Sequence, residues 1–131
     1  MSDPATQDVI TAGLVVIGDE ILSGRTKDTN TGTIADFLTA RGIDLREVRV
    51  VSDRTEAIVE AVNALRAAYA LVFTTGGIGP THDDITADAI AAAFGVPIGE
   101  DPRAVAILRD RYGETALTAP RLRMARIPEG A

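Results

Sequence analysis

The chain has 131 residues, 46% hydrophobic and 24% charged, which suits one compact domain with a sizeable core. Its net charge is −6 and its 13 basic residues are scattered, which argues against a duplex nucleic-acid surface, since that needs a basic patch. It has no cysteine, so disulfides and cysteine-ligated metals are excluded; with no membrane-length apolar run and no signal-peptide pattern, the expected address is cytoplasmic.

Taken in order, residues 1–10 read as a flexible polar lead-in to a domain over residues 11–131. Residues 13–18 form an apolar, β-branched run, the pattern of a strand covered on both faces. Asp19 and Glu20 follow it directly, with no helix start for Asp19 to cap. A polar stretch over residues 26–33 leads to a helix with Ile34, Phe37 and Leu38 on one face, ending at Gly42; Asp28, Thr29 and Asn30 are its candidate caps. Residues 43–51 read as a second strand. A second helix follows, bearing Ile58, Val62, Leu65 and Tyr69, with Asp53 and Glu56 spaced as a capping box. After Gly95 the pattern weakens. Residues 96–98 read as a turn or edge piece, residues 102–112 as a modest amphipathic helix, and residues 119–131 as another helix ending near Pro128.

The most informative stretch is residues 71–88. An apolar run ending in Leu71, Val72 and Phe73 reads as a buried strand; Gly76, Gly77 and Gly79 follow, then Pro80. Helical spacing then sets in with Ile85, Ala89, Ala92 and Ala93. A strand, a glycine loop and a helix start aim backbone N–H groups and a helix dipole at one point, where an anion is stabilised. The loop is not a Walker A loop, because the Gly-Lys-Ser/Thr ending is absent and Lys27 is the only lysine. Nor is it a dinucleotide fingerprint, since His82 stands where the third glycine belongs.

Alternating strands and helices argue for an α/β fold with a mainly parallel sheet, a three-layer sandwich with helices on both faces. Right-handed crossovers give the order 2-1-3 for the first three strands, and ligands gather where the order reverses, at the carboxyl ends of the strands. That edge would collect Asp19 and Glu20, then Asp53, then the glycine loop with Asp83, Asp84 and Asp88. So many carboxylates beside a phosphate need a cation, and Mg²⁺ suits one or two carboxylates plus phosphate oxygens. On this reading Gly76, Gly77, Ile78, Gly79, Thr81, Ser23 and Asn30 bind ligand phosphate. Asp53 and Asp84 carry the chemistry, and Asp19, Glu20, Asp83 and Asp88 hold the metal. Plainer roles exist for several of them. Asp53 can cap a helix; Asp84 and Asp88 can complement a helix dipole; Asn30 can cap; the Arg121–Arg126 cluster can be a solvated helix face.

The motifs Gly18-Asp19-Glu20-Ile21-Leu22-Ser23-Gly24 with Thr29-Asn30, Ser52-Asp53, and Thr75-Gly76-Gly77-Ile78-Gly79-Pro80-Thr81-His82-Asp83-Asp84-Ile85-Thr86 resemble the molybdopterin-binding (MoaB/Mog-like) domain. The form of the loop is most similar to the N-terminal domain of the CinA (competence/damage-inducible protein A) family. The resemblance implies either of two activities: molybdopterin adenylylation, with acidic residues matching Asp53 and Asp84, or metal-dependent cleavage of ADP-ribose at its pyrophosphate. It also implies that the domain continues past Ala131.

Two classes of function therefore stand side by side. One is an Mg²⁺-dependent enzyme acting at a phosphate of a nucleotide or pterin. The other is a module that binds molybdopterin or a nucleotide and leaves catalysis elsewhere. No nucleic acid and no membrane is expected as a partner. A homo-oligomer is expected, dimer before trimer: the alanine-rich helices and an aromatic content of 4% bury little area per residue, and the resemblance implies trimers or hexamers on the Mog-like side and dimers on the more similar CinA-like side.

Overall fold

The computed structural model describes residues 9–131, so most of the expected lead-in, residues 1–8, lies outside the described residues. Three parallel strands stand in the order β2-β1-β3: β1 (Ile10–Ile17), β2 (Ile43–Val51) and β3 (Leu71–Thr75). The central strand begins at Ile10, earlier than the apolar run suggested. Ile10 and Thr11 are β-branched and pair with Ile43 and Asp44 of β2, so the lead-in does not reach residue 10. Burial follows topology. From Ala12 to Ile17 every residue of β1 is buried, whereas β2 alternates and exposes Val48 and Val50. A continuous apolar run marks the strand with neighbours on both sides, and alternation marks an outer one.

Helix α2 (Asn30–Ala40) lies against β2 and buries Leu38. Phe37 is 54% exposed, not packed inward as its spacing suggested, and the Arg41 guanidinium lies 3.4 Å from its ring centroid. The start of α2 is held by Asp28, whose Oδ1 accepts from the N–H groups of Asn30 and Thr31; the Thr29 side chain makes no cap bond. Helix α3 (Thr55–Ala68) packs Ile58, Ala61, Val62 and Leu65 onto the face of β1 carrying Val15 and Ile17. Burial of each large aliphatic side chain there contributes about 1.5–3 kcal/mol.

Helix α4 (Thr86–Phe94) adds Ala89 and Ala93 to the same core. Its other buried alanine is Ala91, while Ala92 is exposed. Small residues let α3 and α4 approach closely. Beyond Gly95 the chain makes β4 (Ile98–Glu100), α5 (Pro102–Ala116, broken at Gly113) and the short α6 (Ala119–Leu122). A 3₁₀ turn, Arg123–Ala125, then leads into β5 (Arg126–Pro128), antiparallel to β4. The helix expected over residues 119–131 is therefore one turn long. Residues 126–128 form a strand because Ile98, Gly99 and Glu100 offer a ladder that pairs Arg126 to Pro128. Among the described residues no helix is long and apolar enough to cross a membrane.

Candidate functional site

The carboxyl ends of β1, β2 and β3 meet along one edge, as the order 2-1-3 requires. Two differently built carboxylate centres stand there. At the end of β1 the chain enters a one-turn helix, α1 (Asp19–Leu22), so Asp19 and Glu20 are first-turn acids after all. Gly18 is buried and its N–H donates to the Val51 carbonyl oxygen at the end of β2, tying the two strand ends together. A Cβ on Gly18 would sit 2.5 Å from a Glu20 carboxylate oxygen, so Glu20 folds back over the strand end.

Asp53 joins this group. Its backbone N–H donates to Asp19 Oδ1 at 3.4 Å. It is no helix cap: the N-cap position of α3 is Arg54. Burial pushes the Asp53 carboxyl above its ordinary value; the Asp19 backbone N–H lowers it, and the charges of Asp19, Glu20 and Asp83 raise it further. Asp19, Glu20, Asp53 and Asp83 thus form one crowded negative rim.

The glycine loop is built otherwise. Gly76 (φ 93°) and Gly77 (φ 65°) both take the left-handed conformation that other residues rarely adopt. A Cβ on Gly76 would fall on the Ile17 carbonyl oxygen, and one on Gly77 would collide with Thr86 Oγ1. The chain's own packing therefore demands both glycines, whatever the loop binds, and a β-branched residue at Gly77 would not leave the fold intact. Thr86, 2% exposed, fastens the loop from below: its hydroxyl donates to the Gly76 carbonyl oxygen at 2.7 Å and its N–H to that of Gly77 at 3.1 Å.

Asp84 closes the next turn. Its Oδ2 accepts from Thr81 N–H at 2.9 Å and from Thr81 Oγ1 at 2.8 Å, and lies 2.8 Å from where a Gly79 Cβ would stand. Burial acts to raise the Asp84 carboxyl, but hydrogen bonds from Thr81 and Gly79 and the Arg123 charge outweigh it and hold it below its ordinary value. Ile78, at the loop tip, is 71% exposed, and His82 lies beside Asp83 with Nε2 3.3 Å from its Oδ1.

Several expected residues lie apart from this edge chemistry. Asp88 is a first-turn acid of α4, but its carboxylate is engaged by Arg126 at 2.7 and 3.0 Å and by Arg123 at 3.4 Å. Two guanidinium groups occupy it where a metal was expected. The Ser23 hydroxyl takes Arg25 Nε at 3.1 Å and donates to the Glu20 carbonyl oxygen, and Asn30 is the first residue of α2. Neither contact reaches the glycine loop. Sequence reasoning passed over Thr86 and set Arg123 and Arg126 aside as a solvated face. The only sequence signal for the arginines was their three-residue spacing late in a chain rich in acids at residues 83–88.

No cluster of three or more metal-ligating side chains occurs among the described residues. The donor set fits a weaker arrangement: Mg²⁺ needs one or two carboxylates, with waters and substrate phosphates completing its shell, and the Asp53 rim carries the uncompensated charge. A cavity of about 300 Å³, which none of the four rim acids lines, is bounded by Gly77, Ile78, Gly79, Asp84, Asp88 and the two arginines.

Comparison with known proteins agrees with this architecture. The crystal structure of CinA, a protein of unknown function from Thermoplasma acidophilum, superposes with a TM-score of 0.85 at 39% identity, covering 91% of this chain and 70% of that one. A CinA-like protein of Desulfovibrio desulfuricans is 32% identical over 120 residues, 92% of this chain and 28% of its own length. A Mog protein of molybdopterin biosynthesis from Mycobacterium ulcerans superposes with a TM-score of 0.57 at 30% identity, over 76% of this chain and 64% of that one. The chain spans about half the length, 46–47%, of the archaeal relatives it matches at 38–39% identity. Residues 13–128 match the family described as a probable molybdopterin-binding domain, and the chain belongs to that family.

Proposed function

We propose that this domain binds the phosphate of a nucleotide or pterin at the glycine loop and performs Mg²⁺-dependent chemistry on a pyrophosphate, as in hydrolysis of ADP-ribose. The observation that carries the reading is geometric: the left-handed Gly76 and Gly77 follow β3 on the same sheet edge as Asp19 and Asp53, whose carboxylate and backbone N–H meet at 3.4 Å. Partial burial and the neighbouring acids make the Asp53 carboxylate more basic than usual, which suits it to accept a proton.

In this reading the N–H groups of Gly76, Gly77, Ile78 and Gly79 face the phosphate oxygens, with Thr81 beside them. One or two of Asp19, Glu20 and Asp83 would supply carboxylate oxygens to Mg²⁺, which when bound would neutralise phosphate charge and orient water. Asp53 takes the proton of the attacking water as its oxygen bonds to phosphorus, and the bridging oxygen leaves with the other phosphate. Asp84 stays ionised and keeps the loop closed through Thr81.

The second reading is molybdopterin adenylylation or simple molybdopterin binding, which the similarity to the Mog protein favours. Phosphorus NMR distinguishes them. Mg²⁺-dependent conversion of ADP-ribose to AMP and ribose 5-phosphate supports hydrolysis; consumption of ATP only when molybdopterin is present transfers the assignment; binding without turnover of either leaves a binding module. We propose also that the chain is a homodimer. Exposed Phe37 (54%), Val48 (38%) and Val50 (39%) on α2 and β2 offer apolar surface to a second copy. Light scattering that gives a single mass near 13.7 kDa at micromolar concentration would overturn the dimer.

A further inference from the structure

Arg123 lies more than thirty-five residues beyond the glycine loop in sequence, yet its guanidinium ends on that loop. Its Nε donates to the Thr81 carbonyl oxygen at 2.9 Å, and its Nη2 to the Asp84 carbonyl oxygen at 3.3 Å and to Asp88 Oδ2 at 3.4 Å. Thr81 and Asp84 are the two ends of one turn, closed internally by Thr81 N–H and Oγ1 on the Asp84 carboxylate and by Asp84 N–H on the Thr81 carbonyl oxygen. A carbonyl oxygen has two lone pairs, so Thr81 accepts both bonds. The planar fork of arginine spans the two ends of the turn in a way a lysine ammonium would not. Asp88, itself gripped by Arg126, accepts from the same Nη2 that reaches the Asp84 carbonyl oxygen and so anchors that end of the fork. All three charged side chains are only 27–30% exposed.

We propose that Arg123 is the positioning residue of the site: it holds the Thr81–Asp84 turn against the start of β5 and so aims the Asp84 carboxylate, with Asp88 and Arg126 as its anchor. The functional importance of that aim rests on the reading of Asp84 given above; the positioning itself does not. Asp88 accordingly serves Arg123 and not a metal. The charged side chains that line one cavity with Asp84 are Asp88 of α4, Arg123 of the 3₁₀ turn and Arg126 of β5.

The test needs no ligand at its first stage. Arg123→Met keeps the length of the side chain and loses the fork; Arg123→Lys keeps the charge. Amide exchange at Thr81 and Asp84 is measured in both, alongside thermal unfolding. In Arg123→Met the two amides exchange about tenfold faster. Arg123→Lys does not restore their protection. With ADP-ribose and Mg²⁺, kcat falls about tenfold to a hundredfold in Arg123→Met while KM stays within about threefold. Unchanged amide exchange in Arg123→Met overturns the proposal. Should the wild type turn over no ADP-ribose, the hydrolysis reading fails, and amide exchange still decides the positioning. If Arg123→Met does not fold, Asp88→Asn removes one anchor of the same guanidinium and is read by the same exchange measurement.

Discussion

Asp53 follows the end of β2 and Asp84 closes the loop beyond the end of β3, the two strands that flank the central one, and their surroundings are opposite. Asp84 is held by donors: Thr81 twice, Gly79, and the Arg123 charge nearby, so its ionised form is stabilised against burial. Asp53 is half-buried among other acids, with one backbone N–H in its favour, so its ionised form is disfavoured. The difference teaches that a carboxylate's role follows from the donors within reach rather than from its place in a motif. One acid completes a turn and stabilises the fold. The other is left with an unmet demand for a cation or a proton, which suits it to chemistry.

The largest effect expected from this comparison lies beneath it, in the loop shared by both regions. Replacing Gly76 with valine forces a Cβ onto the Ile17 carbonyl oxygen at a φ of 93°, and should cost about 3 kcal/mol or more, enough to unfold much of the chain. Urea denaturation reads it directly; an unchanged midpoint would mean that the loop stands clear of β1. Next, Thr86→Val removes the buried hydroxyl that caps the Gly76 carbonyl and should cost about 1–3 kcal/mol, with Thr86→Ser recovering most of it.

Substituting the two acids separates them more sharply. Asp84→Asn weakens charge-assisted bonds from Thr81 and should lower stability by about 1 kcal/mol or more. Asp53→Asn relieves crowding among Asp19, Glu20 and Asp83, so stability should hold or rise by a few tenths of a kcal/mol while Mg²⁺-dependent turnover is lost. Equal destabilisation by both would erase the distinction.

The smallest effect is in the pH dependence, and its sign differs between the two. Asp84 binds its proton less tightly folded than unfolded. Its stabilisation is complete above the ordinary value of 3.8 and is lost as the pH falls through the lowered native value. Asp101, at the start of α5 and held down to about 2 by the Arg103 guanidinium and backbone, loses its share over the interval from 3.8 to about 2. Asp53 runs the other way: ionising it costs stability as the pH rises from 3.8 through its raised native value. Unfolding midpoints across pH should therefore show Asp53→Asn gaining on the wild type through that interval and levelling above it, while Asp84→Asn loses its disadvantage in acid. Parallel curves for all three proteins would contradict the assignment.

Much of the arrangement was legible in the residues. The apolar run at residues 13–18, the alternation of strands with helices, and the glycine loop entering a helix at Thr86 were enough for an α/β sheet of order 2-1-3 and for placing Asp19, Asp53 and Asp84 along one edge. Hydrophobic period and the handedness of crossovers are local rules, so a single sequence carries them. The legibility stopped where two distant segments meet. Asp88 looked like a metal ligand because nothing in its neighbourhood along the chain offered a cation. Arg123 and Arg126 looked like solvent-facing residues because their partner lies on α4. Residues 126–128 looked helical because the ladder that makes them a strand is supplied by residues 98–100.

Sequence alone therefore determined the class of fold, through periodicity, turn chemistry and crossover handedness, and the family, through the resemblance of its motifs; it also set Asp19, Glu20 and Asp53 at the carboxyl edge. Tertiary structure alone decided what each acid does. Whether a carboxylate is satisfied by Thr81, taken by Arg126 or left among its own kind depends on which groups come within about 3 Å of it, a length scale set by packing and not by spacing along the chain.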